Sequence, residues 1–194
     1  MTRLALLRHG HTKWNREGRI QGRSDIALDA DARTTLADLC LPLPWKHAEL
    51  WSSPLVRAVD TAMLVADKTP RTSPALTEMD WGAWEGQHGV DLRADPNSGF
   101  RDIEEWGWNY RAPGGESPQD VWDRIAPWLA NLTRDSVAVC HIGVMRIISA
   151  KATGWNFDGP PPFQIKRNRL FVIDLEPGLK LNGPEVVRLE VRGS

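Results

Sequence analysis

The 194-residue chain predicts an α/β fold built on a mostly parallel sheet. Two observations carry this. Short apolar runs alternate with helix-spaced amphipathic segments, the pattern of strands joined by crossover helices. Several of those runs stop abruptly at a polar residue beside Gly or Ser-Pro, as strands do when they deliver side chains to one edge of a sheet.

The run Leu4-Ala5-Leu6-Leu7 places the first strand at 3–7, ending in Arg8-His9-Gly10. Residues 11–28, rich in Gly, Asn, Arg and Asp, are expected to form a loop. Asp29 is a fitting cap for a helix that carries Leu36, Leu39 and Cys40 and stops at Pro42-Leu43-Pro44. A second strand around 48–52 runs into Ser53-Pro54, read as N-cap and first helical position. The helix that follows is expected to bury Leu55, Val59, Ala62 and Ala66, with Val56 and Met63 beside them. From Trp81 to Gly115 the periodicity fades into Gly, Trp and charge, an irregular or partly helical excursion. Ser117-Pro118 opens a helix carrying Val121, Ile125, Leu129 and Leu132, with a kink or restart expected near Ala126 because of Pro127. Val137-Ala138-Val139-Cys140 is a third buried strand, and a helix from about Val144 closes at Gly154. Two alternating segments, 170–175 and 186–191, finish the chain across a Pro- and Gly-rich turn.

The composition is that of a single globular domain, 41% hydrophobic and 25% charged. A formal net charge of -1 offers no basic field, so nucleic acid is a poor partner and any anion site must be local. No secretory signal and no span long enough for a membrane is visible. Cys40 and Cys140 sit in apolar contexts and read as reduced thiols, which suits the cytoplasm. Six of the ten Trp fall between Trp81 and Trp128. Packing under an irregular segment is the plainer reading of Trp106, Trp108 and Tyr110, and a stacking face for a ring-bearing ligand the sharper one.

Three strand ends carry unusual residues: Arg8 and His9 after the first, Ser52 and then Arg57 after the second, His141 after the third. Taken singly, Arg57 reads as a solvated helix residue and His141 as a satisfied core histidine. Parallel neighbouring strands would instead bring two His and two Arg to one crevice beside helix N-termini, where anions bind. A phosphoryl group needs such a set, fixed donors around its oxygens and a nucleophile in line with the leaving oxygen.

These residues lie in segments that resemble the histidine phosphatase superfamily, in its phosphoglycerate-mutase-like branch. The segments are Leu7-Arg8-His9-Gly10-His11-Thr12-Lys13-Trp14-Asn15 with Gln21-Gly22, then Ser52-Ser53-Pro54-Leu55-Val56-Arg57-Ala58, then Leu76-Thr77-Glu78-Met79-Asp80-Trp81-Gly82-Ala83-Trp84-Glu85-Gly86. Pro113-Gly114-Gly115-Glu116-Ser117 and Cys140-His141-Ile142-Gly143-Val144-Met145-Arg146 complete the series. The resemblance implies a three-layer α/β/α sandwich in one domain over 1–194, with an insertion over about 82–116. It implies His9 as a nucleophile that becomes phosphohistidine, with Arg8, Arg57 and His141 holding the phosphoryl oxygens. Glu78 would protonate the leaving oxygen and then activate water, while Asn15, Gln21 and Gly22 would line the pocket. Glu85 is the rival acid, better read as structural.

The chain departs from the family at three places. His11 stands where an acidic residue is common, Ile142 where Gly is common, and Ala32 where a helix-start Gly is frequent. Ile142 is expected to crowd a backbone that approaches the phosphate. His9, His11, His141 and Glu78 also admit a metal-ligand reading, which Arg8 and Arg57 oppose by repelling a cation. The expectation is therefore a phosphomonoesterase of a small phosphorylated metabolite, needing no cofactor and no metal. A phosphoglycerate mutase is the nearest alternative. The chain is short for one, and 88–111 lacks a cluster of extra cations. A non-catalytic phospho-ligand binder on the same fold is the alternative of another class. Within the phosphatases the 79–86 stretch looks like α-ribazole phosphatases and broad-specificity bacterial enzymes.

Overall fold

The computed structural model describes residues 2–193. Six strands form one sheet in the order β4-β3-β5-β1-β6-β7. They are β1 (Thr2–Arg8), β3 (Glu49–Ser52), β4 (Arg71–Thr72), β5 (Ser136–Cys140), β6 (Arg169–Glu176) and β7 (Lys180–Arg188). The run β4-β3-β5-β1 is parallel, and β6 and β7 add antiparallel to the far side. A small second sheet pairs β2 (Leu39–Cys40) with β8 (Glu190–Val191).

Strand alternation sorts the side chains into two cores, one on each face. Leu4 and Leu6 of β1, Ala138 and Cys140 of β5 and Phe171 and Ile173 of β6 face α5 (Pro118–Ala130) and α6 (Ile142–Thr153). Ala5, Leu7, Val137, Val139, Leu170 and Val172 face α2 (Ala30–Ala37) and α3 (Val56–Ala66). This is the expected three-layer sandwich. Because β1, β3 and β5 run parallel, their C-terminal ends share one edge: Arg8 lies beside Cys140, and Ser52 beside Val139.

Local chemistry explains most element ends. Asp29 caps α2 through the Ala32 N–H at 2.7 Å. Ser117 and Asp120 form a capping box that opens α5 with Pro118 in its first turn. α6 ends at Gly154 in the left-handed region, φ 77°. The excursion after Trp81 holds one short helix, α4 (Gly89–Ala94), and two single 3₁₀ turns at Gly82–Trp84 and Ile103–Glu105. Trp84 and Trp106 are buried in it and meet edge-on at 6.0 Å, so these two rings pack rather than face solvent.

Several sequence expectations fail, each for a local reason. The 11–28 loop contains a helix, α1 (Lys13–Glu17), held by a capping box between Thr12 and Asn15. α2 stops at Ala37, and Leu39 and Cys40 pair as a strand with Val191 and Glu190. α3 begins at Val56 with Leu55 in the N-cap position, two residues past Ser53, whose hydroxyl accepts from the Leu55 N–H at 3.3 Å and from His141 Nε2. Its buried face is Arg57, Ala58, Thr61, Ala62 and Val65, leaving Met63 exposed. α5 runs through Pro127 to Ala130 without a restart. The last alternating segment is split, since β7 begins at Lys180 and Glu190–Val191 leaves for the second sheet.

The α5 cap yields a stability prediction. Ser117→Ala removes the acceptor of the Asp120 N–H and is expected to cost about 1 kcal/mol. In a domain of this size that lowers the thermal midpoint by about 2–4 °C. An unchanged midpoint in a calorimetric scan contradicts the cap's role.

Candidate active site

The shared sheet edge gathers His9, His141 and Arg57 into contact. The two imidazoles lie 5.1 Å apart between ring centroids. His9 follows β1, its N–H donating to the Cys140 carbonyl at 3.0 Å. Its Nδ1 lies 2.6 Å from the Gly10 carbonyl, which can only accept, so Nδ1 carries the proton. The lone pair is therefore on Nε2, where no hydrogen bond from the described residues takes it.

His141 has the opposite tautomer for the same kind of reason. Arg57 Nε donates to its Nδ1 at 3.3 Å, so Nε2 carries the proton and donates to Ser53 Oγ at 2.8 Å. Both rings are buried, and desolvation together with the Arg57 and Arg8 charges holds their pKa values well below 6.5.

Arg57 is wholly buried. Its Nη1 donates to the Ser24 carbonyl at 2.8 Å and its Nη2 to the Gly22 carbonyl at 2.7 Å. Gly22 thus serves the site through its backbone. It has no room for a side chain, since a Cβ would lie 2.7 Å from Glu85 Oε2 and 2.9 Å from the Met79 carbonyl. Glu85 accepts from the Arg23 and Ser24 N–H groups, so it holds the 22–24 loop against Arg57, a structural task.

Glu78 is buried beside the N-terminus of α6. Its carboxylate accepts from the Met79 N–H at 2.8 Å and the Gly143 N–H at 3.2 Å. Burial outweighs those bonds and raises its pKa above 4.5. A Cβ on Gly143 would collide with Glu78 Oε1, so position 143 must be bare. Ile142 is half-buried in the first turn of α6, and the close approach to Glu78 is made by Gly143. Arg124 secures the Glu78 backbone from α5, donating to the Thr77 carbonyl at 2.7 Å.

Asn15 and Gln21 form an amide pair. Asn15 Oδ1 accepts from the Thr12 N–H, while its Nδ2 donates to Gln21 Oε1 at 3.2 Å. Gln21 Oε1 also accepts from the Thr12 hydroxyl at 3.0 Å. That turns Gln21 Nε2 the other way, where it is buried without a partner. Arg8 Nε is likewise buried and unpartnered. Its pKa is pulled down to about 9 by burial and by Arg167, which leaves it cationic at neutral pH. Orphan buried donors are costly, and these two, like Trp51 and Trp128 Nε1, are free to meet an acceptor supplied from outside. A phosphoryl oxyanion has the right charge and lone pairs.

Sequence reading missed Ser53, Arg124 and Arg167. Ser53 and Arg124 lie within or beside motifs but lack a signal of their own. Arg167 sits in a Pro-rich stretch far from every motif. His11 does not join the other histidines at a metal site: among the described residues no three His, Cys, Asp or Glu groups converge as a metal requires. Nor, among those residues, is any helix long and apolar enough to cross a membrane.

The family model for the Histidine phosphatase superfamily (branch 1) matches residues 4–187. The chain belongs to that superfamily. It is 36% identical over 138 residues to a probable phosphoglycerate mutase of Enterobacter sp. (strain 638), covering 68% of this chain and 63% of that protein. It is 31% identical over 179 residues to a glucosyl-3-phosphoglycerate phosphatase of Mycolicibacterium vanbaalenii, covering 82% and 77%. It spans only 33% of a Caenorhabditis elegans 6-phosphofructo-2-kinase/fructose-2,6-bisphosphatase. Among solved structures, a mycobacterial glucosyl-3-phosphoglycerate phosphatase in complex with VO3 superposes with TM-score 0.78 at 27% identity, covering 98% of each chain. A Thermus thermophilus phosphoglycerate mutase gives 0.73 at 29%, covering 98% of this chain and 99% of that one.

The two histidines also make a prediction. Their folded pKa values are depressed, so the unfolded chain binds more protons below about 6.5 and stability falls as pH drops through that window. Nitrogen-15 NMR at about pH 6 should find both rings neutral, His9 protonated on Nδ1 and His141 on Nε2. Imidazolium signals from either ring at that pH would contradict the site's electrostatics.

Proposed function

We propose that this chain is a phosphomonoesterase that hydrolyses a small phosphorylated metabolite through a phosphohistidine at His9. The observation that carries the reading is a neutral imidazole with its Nε2 lone pair free, together with the unpartnered buried donors Arg8 Nε and Gln21 Nε2. In the first step Nε2 attacks phosphorus and the ester P–O bond breaks. The leaving oxygen takes a proton from Glu78, whose pKa burial raises. Arg8 Nε and Gln21 Nε2 are the free donors for the equatorial oxygens, so charge developing there is met by donors already in place. Arg57 and His141 join them by exchanging their Gly22, Ser24 and Ser53 partners for phosphoryl oxygens. In the second step the Glu78 carboxylate accepts a proton from water as its oxygen attacks phosphorus. The P–N bond breaks, and inorganic phosphate leaves. Neither step asks for a metal or a cofactor.

The phosphoglycerate mutase reading shares the first step, and the Enterobacter relative's name favours it. A mutase must also grip a carboxylate and a second phosphate. The cations of the insertion are already committed: Arg93 to Asp102, Arg111 to Asp120 at 3.0 Å, and Arg101 over the Tyr110 ring at 4.2 Å. That arrangement supports hydrolysis over transfer. The two glucosyl-3-phosphoglycerate phosphatase matches make esters of phosphorylated hydroxy acids and sugars the first substrates to screen. The chemistry is that of small diffusible phosphates, and the reduced thiols Cys40 and Cys140 fit a cytoplasmic setting.

Rapid quench with a labelled phosphate ester tests the reading. Acid-labile, base-stable label is expected on the wild type and absent from His9→Ala. Label retained by that variant overturns it, and isomerised phosphoglycerate in place of released phosphate favours the mutase.

Glu78→Gln gives a second check. For alkyl phosphates, kcat/KM requires neutral His9 and protonated Glu78. It therefore falls on the acid side of a limb below pH 6.5 and on the alkaline side of a limb above pH 4.5. Gln is expected to abolish the upper limb and slow alkyl esters far more than the first step with p-nitrophenyl phosphate, whose leaving group needs little protonation. Equal damage to both ester types contradicts the acid's role.

A further inference from the structure

We propose that Arg167 is a positioning residue for the nucleophile, its guanidinium fork tying the His9 carbonyl to the Asn15 side chain. The proposal rests on the reading of His9 as the attacking group. Arg167 Nε donates to the His9 carbonyl at 3.1 Å, and its Nη2 donates to Asn15 Oδ1 at 2.9 Å.

The need for this clamp follows from the strand register. The ladder between β1 and β6 ends at the pair Leu7–Leu170. The His9 carbonyl lies two residues beyond that pair, past the last rung. Arg167, three residues before Leu170, crosses the gap with a side chain where a strand would have used its backbone. His9 is then fixed at three points: its N–H on Cys140, its carbonyl under Arg167 and its Nδ1 on Gly10.

The second arm of the fork acts on the amide pair. Asn15 Oδ1 accepts from both the Thr12 N–H and Arg167 Nη2, so the amide cannot turn over without losing both bonds. Asn15 Nδ2 then faces Gln21 Oε1, and Gln21 Nε2 is left as the orphan donor described above. One side chain thereby sets the nucleophile and an oxyanion donor in common register.

Arg167 gains little stability from its place. Among the described residues it makes no ion pair, and burial with the neighbouring Arg16 charge pulls its pKa down to about 10. A half-buried cation kept among like charges, with its fork on two site residues, is explained by what it orients. Lysine could not do the same, since one ammonium does not span two acceptors in a plane.

The test compares Arg167→Gln, Arg167→Lys and Arg8→Ala with the wild type, using rapid-quench phosphorylation of His9, orthovanadate inhibition and the NMR signal of the His9 Nδ1–H. Both Arg167 variants are expected to slow phosphorylation about tenfold, the worth of a charged hydrogen-bonded contact. Vanadate affinity and KM should move less than about threefold, because a group that only positions does not bind the anion. The Nδ1–H signal should shift or exchange faster in both. Full rate in Arg167→Lys would reduce the role to charge and overturn the clamp. Loss of vanadate affinity as large as in Arg8→Ala would make Arg167 a direct ligand and overturn it too. If no label forms on wild-type His9, the underlying reading fails, and the Nδ1–H signal alone then decides the clamp: unchanged in Arg167→Gln, it is overturned.

Discussion

A guanidinium buried without a carboxylate partner, Arg57, sets the terms for the rest of this site. Taking an unpaired cation out of water costs several kcal/mol even after relaxation, so every available acceptor must come to it. Three do: the Gly22 carbonyl, the Ser24 carbonyl and His141 Nδ1. Each has a consequence. The 22–24 loop must lie close, which forbids a side chain at Gly22 and requires Glu85 to satisfy the loop's own N–H groups. His141 must leave Nδ1 unprotonated, so its proton sits on Nε2 and needs an acceptor. Ser53 Oγ is that acceptor.

Burial, with the charges of Arg57 and Arg8, then depresses the pKa of His9. The same positive surroundings lower the Glu78 pKa by less than burial raises it. The fold therefore supplies both a neutral base, His9, and an acid with a raised pKa, Glu78, the pair of groups that acid–base-assisted phosphoryl transfer needs. The sheet supplies the frame. Parallel β1, β3 and β5 bring their ends together by register alone, and both faces of those strands are sealed by packed helices.

The strand ends and the residues on them were legible because each is local: an apolar run, a sharp stop and a cation or imidazole. His9, Arg57 and His141 meet at the strand ends where that reading put them, whereas Glu78 follows only from the family resemblance. What escaped it was decided by tertiary partners. Ser53-Pro54 has the chemistry of a helix start, but α3 starts only at Val56, and the Ser53 hydroxyl also accepts from a residue 88 positions away. Leu39 and Cys40 continue a helical spacing, yet Glu190 and Val191 offer them a ladder that no periodicity reveals. Arg167 carries no pattern at all, and its role exists only because the β1–β6 ladder stops short of His9.

The central claim is that the unpartnered donors of this crevice are preorganised for a phosphoryl group in transit to His9. A crystal structure grown with orthovanadate tests it most directly. The account requires vanadium bonded to His9 Nε2, with Arg8 Nε and Gln21 Nε2 donating to its equatorial oxygens and Glu78 beside the apical oxygen. Vanadate held elsewhere, or bound here with those two donors still unpaired, would contradict it.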